Sequence, residues 1–126
     1  MTTLSWALLL GGVALNAAAQ LFLKAATRAS GMLVLDSGEV SWQAASLLIR
    51  ALPLWMGLTC YGASVILWLG ALSRVPVSVA YPLLSLGYVL NALAAAYLFA
   101  EPLTLAKAFG IGLIIAGVIV ISRAAA

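Results

Sequence analysis

The sequence predicts an all-α membrane protein: four transmembrane helices, a short interfacial helix between helices one and two, and packing as a dimer. Three observations carry this. Hydrophobic residues make up 66% of the 126 residues and charged residues only 7%. A soluble domain carries roughly a quarter charged residues, so too few polar groups exist here to cover a water-facing surface. The apolar residues also fall into four stretches long enough to cross a bilayer, and the last two connections are so short that neighbouring helices must form antiparallel hairpins. The length suits one compact domain, residues 1–126.

The first span runs from about Leu4 to Leu23 and is closed by Lys24 and Arg28. It lacks the charged start of a signal peptide and is long enough to span, so it reads as a retained helix. The first connection holds a polar glycine turn, "LDSGEV", and then "SWQAASLLIRAL". Here Gln43, Ser46 and Arg50 share one face, while Trp42, Ala45, Ile49 and Leu52 share the other. That is the pattern of a helix lying in the headgroup plane, cut from the second span by Pro53. Two extra turns on span two are the alternative. Span two covers about Leu54 to Leu72, closed by Arg74, and span three covers about Val77 to Phe99. Span four covers about Leu105 to Ile121, closed by Arg123.

Lys24, Arg28, Arg50 and Lys107 fall on one side of the membrane, and Arg74 and Arg123 on the other. This bias puts both termini outside and connections one and three in the cytoplasm. Trp6, Trp55 and Trp68 lie near span ends, where indole rings suit the interface. With no histidine and one cysteine, Cys60, the chain has no internal disulfide, no Cys/His metal site and no histidine acid–base chemistry. No metal or other cofactor is expected. Cys60 reads as a small packing residue, and the scattered cations are no nucleic-acid footprint. No nucleophile–base pair is present, so an enzyme is not expected.

Polar residues within the spans are the candidate functional groups, because polarity at membrane depth is costly. Asn16, Gln20 and Lys24 recur every four residues and share one face of span one. They either line a cavity or cross-link helices. Lys24 and Arg28, one turn apart, are either snorkelling anchors or a paired cationic mouth for a phosphate. In span three Tyr81, Ser85 and Tyr88 form a hydroxyl-bearing stripe, with Asn91 just off it. Such a stripe can bond a sugar or pack on another helix. Pro82 is expected in the first helical turn, with Tyr81 extended at the helix start. Glu101, before Pro102, is expected to complement the N-terminus of span four. In span four Gly110 and Gly117 are seven apart and Gly112 and Ala116 four apart, which suits an oligomer interface. No acid lies in the middle of any span, so the chain offers no carboxylate for exchanging a proton against a cation.

These residues resemble the drug/metabolite transporter superfamily, and the four-helix small multidrug resistance branch matches the architecture over nearly the whole chain. That branch carries an essential glutamate eight residues before a lysine in helix one; here Asn16 stands eight residues before Lys24. More similar still are the two small subunits that flip undecaprenyl phosphate-aminoarabinose across the bacterial inner membrane. The shared motifs are Gln20-Leu21, Lys24 and Thr27 in helix one, then Val75 to Val89 and Glu101-Pro102. The resemblance implies a multi-pass inner-membrane flippase, or flippase subunit, for a lipid-linked sugar phosphate. It would work among membrane lipids as a homodimer or as a heterodimer with a related four-helix subunit. Lys24 and Arg28 would hold the phosphate, and Asn16, Gln20, Tyr81, Ser85 and Tyr88 would line the path of the sugar. The alternatives are an exporter of cationic or hydrophobic compounds and a non-transporting accessory subunit.

Overall fold

The computed structural model describes residues 2–31 and 33–125, with nothing described of the Ala125 side chain. Five helices follow in order: α1 (Thr3–Ser30), α2 (Trp42–Arg50), α3 (Leu52–Leu72), α4 (Val77–Leu98) and α5 (Leu105–Ala125). At 1.5 Å per residue, α3, α4 and α5 are each about 32 Å long, matching a hydrocarbon core of about 30 Å. The nine-residue α2 is far too short to cross. Helix α1 is longer than the bilayer needs. From Thr3 to Lys24 it rises about 32 Å, so its last turns, carrying Lys24 and Arg28, stand at the membrane edge.

Local chemistry explains the element ends. The Thr2 hydroxyl caps α1 by accepting from the Ser5 N–H. Gly31, at φ 87°, ends the helix and returns its N–H to the Thr27 carbonyl. The "LDSGEV" stretch closes as a small hairpin: the Leu35 N–H donates to the Glu39 carbonyl, the Gly38 N–H donates to the Leu35 carbonyl, and Val34 bridges Val40. Gly38, at φ 88°, supplies the turn conformation that a side chain resists. Ser41 then caps α2 by accepting from the Ala44 N–H. Ala51 is extended and separates α2 from α3, so the interfacial segment is a helix of its own rather than two more turns of span two. The Trp55 indole donates to the Ile49 carbonyl at 2.8 Å and pins this joint. On α2, Ala44 is the buried residue, while Trp42 and Ile49 stay exposed on the apolar face.

Two sequence expectations are corrected here. Helix α4 begins directly after the extended Pro76, so Pro82 lies inside the helix, past its first turn. Tyr81 is helical, not extended. Pro82 leaves the Ser78 carbonyl without its backbone donor, a defect that membrane helices tolerate where neighbouring groups compensate. Glu101 and Pro102 lie before α5 rather than in its first turn. The cap is Thr104, whose hydroxyl accepts from the Lys107 N–H.

Helix packing is led by α1 against α3. A Cβ added at Gly57 would meet the Ala19 carbonyl oxygen at 3.1 Å and Leu23 side-chain atoms at 3.2 Å. Further along, Gly12 stands against the Ser64 carbonyl and Trp68 backbone nitrogen, both at 3.6 Å from such a Cβ. Helix α4 packs on α1 through Leu83 and Gly87, and the buried core joins Leu9, Ala71, Val75, Ala80, Leu83 and Val118. Among the described residues, helix α5 packs on α4 and on no other helix. Gly57→Val should therefore destabilise the fold by about 1–3 kcal/mol through overpacking, seen as a lower melting temperature in detergent. Gly62→Val, with open space around Gly62, should leave it nearly unchanged.

Candidate functional site

The polar face of α1 points along its border with α4. Gln20 and Lys24 meet Asn91, Ala92 and Ala95 of α4, with Phe99 and Glu101 beyond it, around a pocket of about 270 Å³ at the membrane edge. The Lys24 Nζ lies 3.7 Å from the Glu101 carboxylate, and both side chains are about half exposed. The Arg28 guanidinium sits 5.3 Å above the Phe99 ring, a cation–π contact beside the same mouth. The two cations therefore occupy one mouth, with Lys24 as a pocket wall and Arg28 on its rim. Glu101 reaches this place through Ala100, whose φ of 53° is a left-handed conformation that alanine resists.

Asn91 is the unusual member of this pocket. Its Oδ1 is buried and has no hydrogen-bond partner. A buried acceptor without a donor costs about 1–3 kcal/mol, so the fold carries a penalty at the pocket wall. Sequence reasoning placed Asn91 off the hydroxyl stripe and gave it no role. Its signal was an asparagine well inside an apolar span.

Asn16 lines a second pocket, of about 220 Å³, deeper in the membrane. It is formed with Gly12, Tyr61, Ser64 and Trp68, and with Tyr81 and Leu84 of α4. By helical rise Asn16 lies about 12 Å from Lys24 along α1. Tyr81 stands edge-on to Trp68, with ring centres 6.0 Å apart. Trp68 is thus a pocket wall as well as a residue near a span end. Tyr61 and Ser64 recur with Trp68 at helical spacing on one face of α3, a signal the apolar character of the run conceals. Among the described residues, no side-chain hydrogen bond joins Asn16 or Gln20 to a neighbouring helix.

The remaining candidates are scattered. Ser85 donates to the Pro82 carbonyl at 2.5 Å and lines a groove against α5 with Leu113 and Gly117, away from Asn16. Tyr88 is 61% exposed and lines neither polar pocket. The stripe divides because α4 meets α1 on one side and α5 on the other. On α5, Gly117 borders the α4 groove and Gly110 is half-buried, while Gly112 and Ala116 are exposed.

An apolar groove of about 440 Å³ adjoins the Lys24 pocket and shares Leu21 and Phe99 with it; Ala18, Phe22, Ala25 and Leu98 complete it.

Comparison with known proteins places the chain in a family. A protein of Salmonella enteritidis PT4 described as a probable 4-amino-4-deoxy-L-arabinose-phosphoundecaprenol flippase subunit ArnE is 45% identical over 78 residues, 60% of this chain and 70% of that one. Proteins so described from Pseudomonas fluorescens Pf0-1 and Escherichia coli O45:K1 are 43% and 42% identical, over 56% and 57% of this chain and 61% and 67% of their own length. No solved structure matches. The EamA-like transporter family matches residues 1–123, and its members are transporters rather than enzymes. With four helices long and apolar enough to span and a family match over almost its entire length, the chain belongs to the EamA-like transporter family and is a multi-pass membrane protein.

Proposed function

We propose that the protein is a flippase, or one subunit of it, that carries a polyprenyl-phosphate-linked sugar such as undecaprenyl phosphate-aminoarabinose across the bacterial inner membrane. The observation that carries this reading is the adjacency of two unlike spaces at one membrane edge. A polar pocket walled by Gln20, Lys24 and Asn91 shares Leu21 and Phe99 with an apolar groove. A headgroup and the tail attached to it need that combination. Lys24 and Arg28 hold the phosphate at the mouth, where charge-assisted bonds to phosphate are strong. Gln20 and Asn91 meet the sugar first, and Asn16 and Tyr81 receive it deeper in the membrane. Ser85 and Tyr88 act one step out, at the border with α5 or a partner chain.

The protein works as a dimer, with itself or with a related four-helix chain. The two pockets, at about 270 and 220 Å³, fall below the ~300 Å³ at which sites enclosing a drug-sized ligand begin, so a second copy completes the path. Helix α5 is the natural seam. Among the described residues it packs on α4 alone, and Gly112 and Ala116 offer a small-residue face to a partner, flanked by Gly110 and Gly117. The end bearing Lys24, Arg28, Arg50 and Lys107 is cytoplasmic by its excess of cations. No acid lies at the centre of a span, and Asn16 cannot exchange a proton, so flipping runs downhill, drawn by consumption of the lipid on the far side.

In proteoliposomes, Lys24→Ala and Arg28→Ala should each slow flipping by about tenfold or more, while Lys24→Arg retains most of it. Unchanged flipping in both alanine variants would overturn the phosphate role. Substrate addition should release no protons from the purified protein; stoichiometric release would favour a proton-coupled exporter instead. Gly112→Leu combined with Ala116→Leu should lower the dimer fraction seen by cross-linking without lowering the melting temperature, because both positions are open in one chain. An unaltered dimer would place the seam elsewhere.

A further inference from the structure

We propose that Glu101 is a latch on the Lys24 mouth. Its carboxylate holds Lys24 in the resting protein, and an arriving phosphate takes Lys24 and releases the backbone at Ala100 and Glu101. This deepens the proposed function and rests on one part of it, that Lys24 binds a phosphate. The connection between α4 and α5 then changes position with the occupancy of the mouth.

Mutual exclusion supplies the first argument. The Lys24 Nζ lies 3.7 Å from the Glu101 carboxylate. A phosphate bound at Lys24 sets a second anion against that carboxylate, and like charges at such a range repel. The ammonium therefore serves one anion at a time. A ligand that binds only the released state shifts the population toward release. The resting pair is long, and its side chains are 51% and 44% exposed, so it is weak enough for a ligand to displace.

The anchoring of the connection supplies the second. Phe99 lies beneath the Arg28 guanidinium, 5.3 Å from it. A stacked guanidinium keeps its N–H edge free for a phosphate, so this contact survives binding. On the far side the Lys107 Nζ donates to the Pro102 carbonyl at 2.9 Å, and the Thr104 hydroxyl accepts from the Lys107 N–H. Phe99 and Pro102 are thus both fastened by contacts that do not involve Lys24. The piece left to move is Ala100 and Glu101.

Backbone geometry supplies the third. Ala100 follows the helix cap Phe99, at the place where chains usually set a glycine, and its φ is 53°. A left-handed conformation is strained for alanine. The Glu101 N–H reaches the Ala95 carbonyl at 3.3 Å, and that carbonyl already accepts from the Phe99 N–H at 3.0 Å. One weak ion pair and one long, shared hydrogen bond therefore hold the latched bend against its own strain. Loss of the ion pair lets Ala100 relax, so release demands little of the ligand.

The test uses the whole chain in a maltoside detergent, which carries no phosphate of its own. The probe is farnesyl phosphate, which has neither sugar nor amine. Hydrogen exchange is followed over residues 99–104 alongside binding. Farnesyl phosphate should speed exchange of the Ala100 and Glu101 amides by about threefold or more, whereas a ligand that merely covers a pocket slows it. Glu101→Gln should exchange fast without ligand and bind the probe about threefold or more tightly. Ala100→Gly removes strain from the latched bend, so it should slow exchange and weaken binding by about threefold. Opposite signs at two adjacent residues are the mark of a latch. Wild-type binding with unchanged or slower exchange overturns the inference and leaves the phosphate role intact. So does weaker binding by Glu101→Gln, which makes Glu101 a supporting part of the mouth. Binding by Glu101→Gln alone supports the inference, with a latch stronger than the probe. Binding that Lys24→Ala leaves unchanged, or binding by neither the wild type nor Glu101→Gln, overturns the inference and the phosphate role together.

Discussion

The close approach of α1 to α3 is the contact on which the rest of the molecule depends. A lipid solvent offers no hydrophobic drive between apolar helices, so association rests on how near two backbones can come. Gly12 on α1 and Gly57 on α3 mark two points along that contact, and at Gly57 even a methyl group would press on the Ala19 carbonyl. With α3 held this closely, α1 cannot rotate about its axis. Its Gly12–Asn16–Gln20–Lys24 face is thereby aimed along the border with α4, and the two polar pockets lie one above the other on that line.

Helix α4 completes the border and spends stability in doing so. Pro82 interrupts its backbone ladder, Asn91 buries an acceptor without a donor, and Ala100 bends through a left-handed conformation. Two of these three costs lie at the Lys24 mouth. Strain and unsatisfied polarity persist where the surrounding structure holds them in place, and they concentrate at sites that bind or move a ligand. The opposite end of the bundle shows no such concentration. There Leu9, Ala71, Val75, Ala80 and Leu83 close into an apolar core that ties α1, α3 and α4 together.

Much of the fold was legible in the residues. Four apolar runs of bilayer length, an amphipathic "SWQAASLLIR" between them and a glycine turn at Gly38 are local properties, and each appears where the chain's own chemistry puts it. The face shared by Asn16, Gln20 and Lys24 was legible too, since helical period alone brings those positions together. Less of the site could be read. Tyr81, Ser85 and Tyr88 do lie along one helix, but their neighbours differ: Trp68 and Asn16 for Tyr81, α5 for Ser85, open surface for Tyr88. Glu101 looked like a partner for the α5 N-terminus and instead meets Lys24, some seventy-seven residues away in the chain.

The sequence by itself determined that this protein is helical, spans a membrane four times, and carries a polar face on its first helix with two cations at its end. Hydropathy sets length and period sets which residues share a face; both are properties of single segments. Tertiary structure alone decided which of those faces meet. The azimuths of α1, α3 and α4 are set by where Gly12, Gly57 and Gly87 let the helices approach, and the left-handed backbone conformation of Ala100 sets where Glu101 arrives. Those are long-range constraints, so they assembled a pocket from Gln20, Lys24, Asn91 and Glu101 that no single stretch of the chain announced.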